Sequence, residues 1–358
     1  MSDVTTAKLA FTSDYMEGCH PAVLDALAAT NLVSVQGYGE DPFCRAAEQK
    51  ILSACGCPDG EVRFLTGGTQ TNALLVDCLT EPWQGVFAAE TGHISVHEAG
   101  AVEFTGHKVL ALPHTDGKIS AEAVRKYCKD FLADPNHEHM VEPGLVYISH
   151  PTEYGTLYSK AELTALHEVC AEAGIPLYLD GARLAYALAA PENDVTLPDL
   201  ARLCDVFYIG GTKCGALCGE AVVLPKKGSI SHFTTRIKQH GALLAKGRVL
   251  GVQFDALFTD GLYERIGAPA IESAARIKEK LRACGFPLFL ENPTNQVFFV
   301  LANDRMERLA ETVEFGYMEK YDDTHSVLRF ATAWSTTPEK TDALLAALDR
   351  LSQDLPDA

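Results

Sequence analysis

No stretch of this 358-residue chain approaches the roughly 20 consecutive apolar residues that cross a bilayer, so the sequence offers no membrane-spanning helix. Basic residues are short: 30 Lys plus Arg face 48 Asp plus Glu, a net charge of −18. Nucleic acid and anionic membrane surfaces repel such a chain, and neither is an expected partner. There is no repeat, low-complexity tract or long charge block. The opening residues, Met1-Ser-Asp-Val-Thr-Thr-Ala-Lys8, lack a basic segment followed by an apolar stretch. No export signal is therefore expected, and the cytoplasm is the default location.

Several common site motifs are missing too. The segment around Gly67-Gly68-Thr69 is neither G-x-G-x-x-G nor a Walker loop, and Gly210-Gly-Thr-Lys-Cys214 has cysteine where a magnesium-binding hydroxyl would stand. His93 and His97 are four apart, but Glu98 follows the second histidine, so the zincin order H-E-x-x-H is not met. The eleven cysteines are odd in number, and Cys170, Cys204, Cys214 and Cys218 fall within apolar patterns, which suits buried reduced thiols. Cys55-Gly-Cys57 and Cys214-x-x-x-Cys218 lack partner pairs at zinc-finger spacing, so no metal site is expected.

What is present is an alternation of short apolar strands with helical patterns: Gly85 to Ala89, Gly144 to Ser149, Ile175 to Leu179, Val206 to Ile209 and Ala221 to Leu224. Between the second and third, Lys160 to Gly174 reads as an amphipathic helix closed by glycine. Nearly continuous apolar strands predict an α/β fold with a mostly parallel sheet covered on both faces. Past residue 250 the texture changes to a long helical stretch from Leu262 to Cys284, broken near Pro269, then strands at Gln296 to Leu301 and Val327 to Ala331 and a final helix. The expected organisation is a large domain over 1–250, its N-terminal segment contributing to the site, and a small α+β domain over 251–358.

Ligands of parallel sheets collect outside the carboxyl ends of the strands. Two such ends carry charge. Ile175-Pro-Leu-Tyr-Leu-Asp180 stops on a carboxylate, and Asp205-Val-Phe-Tyr-Ile-Gly-Gly-Thr-Lys213 stops on an amine. That pair suits pyridoxal 5'-phosphate (PLP): a lysine holds the aldehyde as a Schiff base, and a carboxylate keeps the pyridine nitrogen protonated. Phe64-Leu-Thr-Gly67-Gly68-Thr69-Gln-Thr-Asn72 reads as strand, glycine turn and helix start, a candidate phosphate anchor. His93 could stack on an aromatic cofactor, whereas His97 reads as an ordinary histidine. Arg183 and Arg329 could hold a substrate carboxylate through two hydrogen bonds. One histidine of Asn136-His137-Glu-His139 could accept a proton.

These residues, with Ser13-Asp14, Gly37-Tyr38-Gly39-Glu40-Asp41-Pro42, Glu98-Ala-Gly100, Thr152-Glu-Tyr-Gly155-Thr, Asp180-Gly-Ala-Arg183 and Gly211-Thr-Lys213, resemble the low-specificity L-threonine aldolases, a β-eliminating lyase group of fold-type-I PLP enzymes, nearly end to end. The resemblance implies a PLP transferase-like fold and retro-aldol cleavage of an L-β-hydroxy-α-amino acid to glycine and an aldehyde. It implies Lys213 as the Schiff-base residue, Asp180 at the pyridinium and His93 on the ring. Gly68, Thr69, Thr212 and Arg183 would contact the cofactor, and Ser13, Arg183, Arg329 and Tyr38 the substrate. His93 or His139 would take the β-hydroxyl proton. A homodimer or homotetramer follows, with Tyr38 and Lys246 to Arg248 near a neighbouring subunit's site. One departure stands out: Thr212-Lys213-Cys214-Gly215 replaces the family's serine-lysine-glycine-leucine, as in a branch acting on aromatic β-hydroxy amino acids. The competing readings are β-elimination or transamination on the same scaffold, a non-catalytic PLP-binding protein and a metal-dependent hydrolase.

Overall fold

The computed structural model describes residues 8–353; Met1 to Ala7, on which the expectation of no export signal rests, lie outside the described residues. Its centre is a seven-stranded sheet in the spatial order Glu61–Leu65, Glu220–Leu224, Val206–Gly210, Leu177–Gly181, Glu142–Ser149, Gln84–Ala89 and Lys108–Leu112. Only Glu220–Leu224 runs against its neighbours. Alternate residues of each strand point to opposite faces, and both faces are apolar. Val146, Leu177, Leu179, Phe207 and Val223 join one core, while Leu145, Tyr147, Tyr178, Tyr208 and Val222 join the other. The helix Lys160–Ala173 covers the first face. Ser159 and Glu162 cap it reciprocally and Gly174 ends it at φ 69°, a left-handed turn that glycine adopts without strain.

The second sheet is antiparallel, in the order Gly316–Lys320, His325–Ala331, Gln296–Ala302. Its core takes Val297, Phe299, Leu328 and Phe330 from the strands, Leu344 and Leu348 from the helix Pro338–Gln353, and Phe11 from the N-terminal segment. That segment is tied down by a short parallel pairing of Leu9–Ala10 with Val313–Glu314. The expected boundary at residue 250 falls inside the helix Arg248–Leu257, which packs against Pro42–Ala54. The helical stretch broken near Pro269 resolves into Leu262–Arg265 and Ala268–Ala283, with proline in the first turn of the latter, where its missing N–H costs nothing. Among the described residues no helix is long and apolar enough to cross a membrane.

Candidate active site

The carboxyl ends of the parallel strands share one edge of the large sheet, and a cavity of about 330 Å³ opens there. Strand register decides what faces it. Asp180 pairs with Ser149 on one side and Tyr208 on the other, so the last turns of three strands converge on one carboxylate. Four donors meet that carboxylate: the hydroxyls of Tyr147 (2.7 Å) and Tyr208, Asn72 Nδ2 (3.0 Å) and the backbone N–H of Ala182 (2.9 Å). Burial, then the neighbouring Asp180 charge, pushes both phenols well above their ordinary range, so they remain donors.

Lys213 follows the strand Val206–Gly210 and lines the same cavity. Burial and the Arg183 guanidinium lower the affinity of its amine for a proton, against the opposing pull of Asp14, Asp180 and Glu220. A depressed lysine spends more time as the neutral nucleophile that condensation with an aldehyde requires. Glu220 accepts from the Thr212 hydroxyl (2.8 Å) and the Gly211 N–H (3.1 Å), so it fastens the loop just before Lys213. Burial raises its carboxyl to about 8, with the Thr212 hydrogen bond and the Lys213 charge working against the rise.

The helix Gly68–Leu79 starts at the cavity without a side-chain cap, so its first N–H groups and the positive end of its dipole face that space. A Cβ on Gly68 would come within 3.1 Å of the Tyr208 hydroxyl, the same hydroxyl that serves Asp180. His93 reaches the cavity from the turn after Gln84–Ala89. Its Nδ1 lies 2.6 Å from Glu98 Oε1 and its backbone N–H donates to Glu153 Oε1 at 2.8 Å. Burial also raises the Glu153 carboxyl, against the hydrogen bond from Ser149.

Arg183 is held by Asp14 through Nε (2.6 Å) and Nη2 (3.0 Å), and Asn295 donates to the same carboxylate at 2.9 Å. Burial alone would raise Asp14; the charges of Arg183 and Lys213 outweigh it and hold the carboxyl at about 2. Arg329 stands close by, donating from Nη1 to Gln296 Oε1 (2.9 Å) and from Nη2 to the Thr12 carbonyl (3.0 Å). Its Nε and the Ser13 hydroxyl are buried without a hydrogen-bond partner among the described residues.

Gly68, Thr69, His93, Asp180, Arg183, Thr212 and Lys213 thus line one cavity; Ser13 and Arg329 are not in that lining, though Arg329 donates to the Thr12 carbonyl in the segment that carries the cavity-lining Tyr15. Two further sequence candidates do not reach it. Tyr38 sits half-exposed at φ 61°, under the Lys238 ammonium (4.6 Å from its ring centre), beside a separate small hollow. His139 is exposed in a one-turn helix that precedes Glu142–Ser149, whereas the cavity lies beyond that strand's other end. At about 3.3 Å per residue, the strand alone puts Ser149 about 23 Å from Glu142, the strand's near end on the His139 side. The expectation that His139 accepts the substrate proton is therefore corrected for the chain's own cavity. All eleven cysteines are free thiols, and no group of three or more metal-ligating side chains occurs among the described residues.

Sequence reasoning gave no role to Asp14, Asn72, Glu98 and Glu153, though they lie in the motifs it used, and passed over Tyr15, Glu220 and the phenols around Asp180. A signal existed for the last: Tyr147, Tyr178 and Tyr208 are each flanked by apolar residues within buried strands, where each hydroxyl needs a partner.

A parallel sheet with an amine and an acid at adjacent strand ends, and a helix start opposite, defines the fold-type-I architecture used by PLP-dependent enzymes. A double mutant of Thermus thermophilus aspartate aminotransferase shares the fold with a TM-score of 0.70 at 16% identity, over 96% of this chain and 91% of that one. The chain belongs to the beta-eliminating lyase family, whose model matches residues 10–304. It is 30% identical over 305 residues to a low specificity L-threonine aldolase of Pseudomonas sp. (strain NCIMB 10558), covering 84% of this chain and 86% of the relative. A solved threonine aldolase structure from Leishmania major is 41% identical with a TM-score of 0.92, over 96% of this chain and 99% of that one.

Proposed function

We propose that this chain is a PLP-dependent aldehyde-lyase that cleaves an L-β-hydroxy-α-amino acid, of the L-threonine, L-allo-threonine or phenylserine type, to glycine and an aldehyde. The observation that carries the reading is the convergence of Lys213 and Asp180 on one cavity whose third wall is a helix N-terminus. The residues suit the cofactor. Asp180 is a buried acid among four donors, where a protonated pyridine nitrogen finds its counter-charge. Gly68 leaves no room for a side chain beside Tyr208, so backbone N–H groups can approach a phosphate there together with Thr69 and Thr212. Bound PLP supplies an electron sink for the pair left on the α-carbon when a bond to it breaks.

The chain's own residues do the rest. Burial and the Arg183 charge lower the affinity of the Lys213 amine for a proton, which favours the form that condenses with an aldehyde. Ser13 Oγ and Arg329 Nε, buried and unpartnered among the described residues, suit a substrate carboxylate, and Asp14 orients Arg183 beside them. His93 is the histidine of the cavity and takes the β-hydroxyl proton. Such proton transfer typically contributes about 10² to 10⁴ in rate. Leu24, Leu32, Val33 and Tyr38 are exposed apolar side chains within one short stretch, which supports burial against a second copy in a homodimer or homotetramer; light scattering at the monomer mass would refute it. A cytoplasmic enzyme with a small C-terminal domain completes the proposal, the domain supported by the separate core of the second sheet.

Lys213→Ala tests the core of the reading. The purified wild type should show the visible absorbance of a lysine-bound PLP aldehyde, and the variant should lose it together with activity. A variant that kept that absorbance would overturn the assignment. Supplying L-threonine, L-allo-threonine, phenylserine and cysteine separately then distinguishes aldol cleavage, which yields glycine and an aldehyde, from β-elimination, which yields pyruvate.

A further inference from the structure

His93 does not stand alone in the cavity wall. Its Nδ1 meets Glu98 Oε1 at 2.6 Å, and the Glu98 side chain is wholly enclosed. The same oxygen accepts from Asn72 Nδ2 at 2.7 Å, and that nitrogen also donates to Asp180 Oδ2 at 3.0 Å. Asn72 Oδ1 in turn accepts the Tyr178 hydroxyl at 2.6 Å. These bonds fix the proton positions. With both acids as carboxylates, which only accept, the Asn72 amide turns its NH₂ towards both of them, and the ring nitrogen facing Glu98 carries hydrogen. Tyr178 confirms the amide orientation from the other side, because burial, then the Asp180 charge, keeps its phenol protonated. A neutral His93 is thereby left with its lone pair on Nε2, the nitrogen not engaged by Glu98.

We propose that Glu98 is a positioning residue of the aldol reaction: it fixes the His93 tautomer so that Nε2 is the proton acceptor, and it stabilises the imidazolium formed once Nε2 has taken the substrate's proton. The inference rests on the lyase reading above. In the step concerned, the β-hydroxyl O–H bond breaks and an N–H bond forms at Nε2. The freed O–H pair becomes the second bond of the aldehyde carbonyl, and the Cα–Cβ pair stays with the glycine fragment. One proton later returns to that α-carbon, so the sum is amino acid to glycine plus aldehyde. The Glu98 charge lies on the far side of the imidazole from Nε2, as in other histidine bases oriented by a buried acid. Its Oε2 is buried without a partner among the described residues, so the pairing with His93 and Asn72 rests on Oε1 alone. Through Asn72 the same acid is joined to Asp180, so the histidine and the pyridine-facing carboxylate share one rigid hydrogen-bonded line.

The test uses the PLP-loaded enzyme with ¹⁵N-labelled histidine, the His93 ring signals being assigned with His93→Asn. The wild type should show the Nδ1–H tautomer. Glu98→Gln keeps an accepting oxygen and should keep that tautomer, yet lower kcat on L-threonine by about 10- to 100-fold with KM within threefold. Glu98→Ala removes the acceptor; it should mix the tautomers and lower kcat further, by about 10² to 10⁴. A wild-type ring in the Nε2–H form, an unchanged ring signal in Glu98→Ala, or kcat within threefold of wild type in both variants would overturn the proposal. So would Glu98→Gln at wild-type kcat alongside a Glu98→Ala that merely loses cofactor, since Glu98 would then be only structural. If His93→Asn itself keeps full kcat, the base assignment fails, whereas the ring signals of the Glu98 variants still judge the tautomer.

Discussion

Asp14→Asn removes one charge from the most enclosed ion pair at the site and should cost the protein about 2–4 kcal/mol. The side chain of Asp14 is fully buried and that of Arg183 is 12% exposed, so water screens the pair little. The Asp14 carboxyl sits at about 2 against the ordinary 3.8. At 1.36 kcal/mol per pH unit, that gap amounts to about 2 kcal/mol at neutral pH. The sign is that of a depressed acid: the contribution is complete above pH 3.8 and disappears as pH falls through 2. Stranding a buried partner charge typically costs about 3–5 kcal/mol, and asparagine recovers part of this by offering Arg183 one amide oxygen. Urea unfolding at pH 7 should therefore show a lower midpoint at unchanged slope. The exposed pair Arg125 and Glu172 serves as the control, and Glu172→Gln should leave the midpoint where it was. A loss below about 0.5 kcal/mol in Asp14→Asn would refute the reasoning, because it would show Arg183 paired or solvated by other means.

Two further outcomes follow from the same geometry. Gly68→Ala places a methyl group 3.1 Å from the Tyr208 hydroxyl, so PLP affinity, read by dialysis and refilling, should fall by about tenfold, equivalent to about 1.4 kcal/mol and near the worth of one displaced hydrogen bond. Glu220 is raised to about 8, so its folded form retains a proton that the unfolded chain releases above 4.5. Its contribution to stability consequently declines as pH rises from 4.5 to 8, and Glu220→Gln should gain stability over wild type at pH 8 relative to pH 5 by thermal unfolding.

Much of the large sheet was legible because buried parallel strands leave long apolar runs, and the exceptions within those runs mark the site. Asp180 and Lys213 are such exceptions, the first within the end of an apolar strand and the second three residues beyond one. Gly68 was legible through its place between a strand and a helix. Glu98 and Asn72 were not, because a polar residue in a helix or turn reads as solvated until the fold shows it enclosed. Asp14 is harder still: its partner Arg183 is distant in sequence, and only the packing of the N-terminal segment brings the two together. For the chain's own cavity, His139 could have been set aside from the sequence itself. It precedes a strand of a parallel sheet, and ligands gather after such strands. The domain boundary was blurred by the helix Arg248–Leu257, which continues the packing of the large unit past the change in texture.

The short pairing of Leu9–Ala10 with Val313–Glu314 works as a seam. Stitched beside the core of the small sheet at its start, the chain then brings Asp14 to Arg183 and Tyr15 to the cavity. Trimming the protein back to Glu17 would spare every strand of the seven-stranded sheet, yet it would take away the clasp on Arg183 and the ring facing Lys213. On the proposed reading, the frame that would cradle the coenzyme is therefore not a self-sufficient catalyst, and shortening at this end would dismantle the proposed substrate grip first.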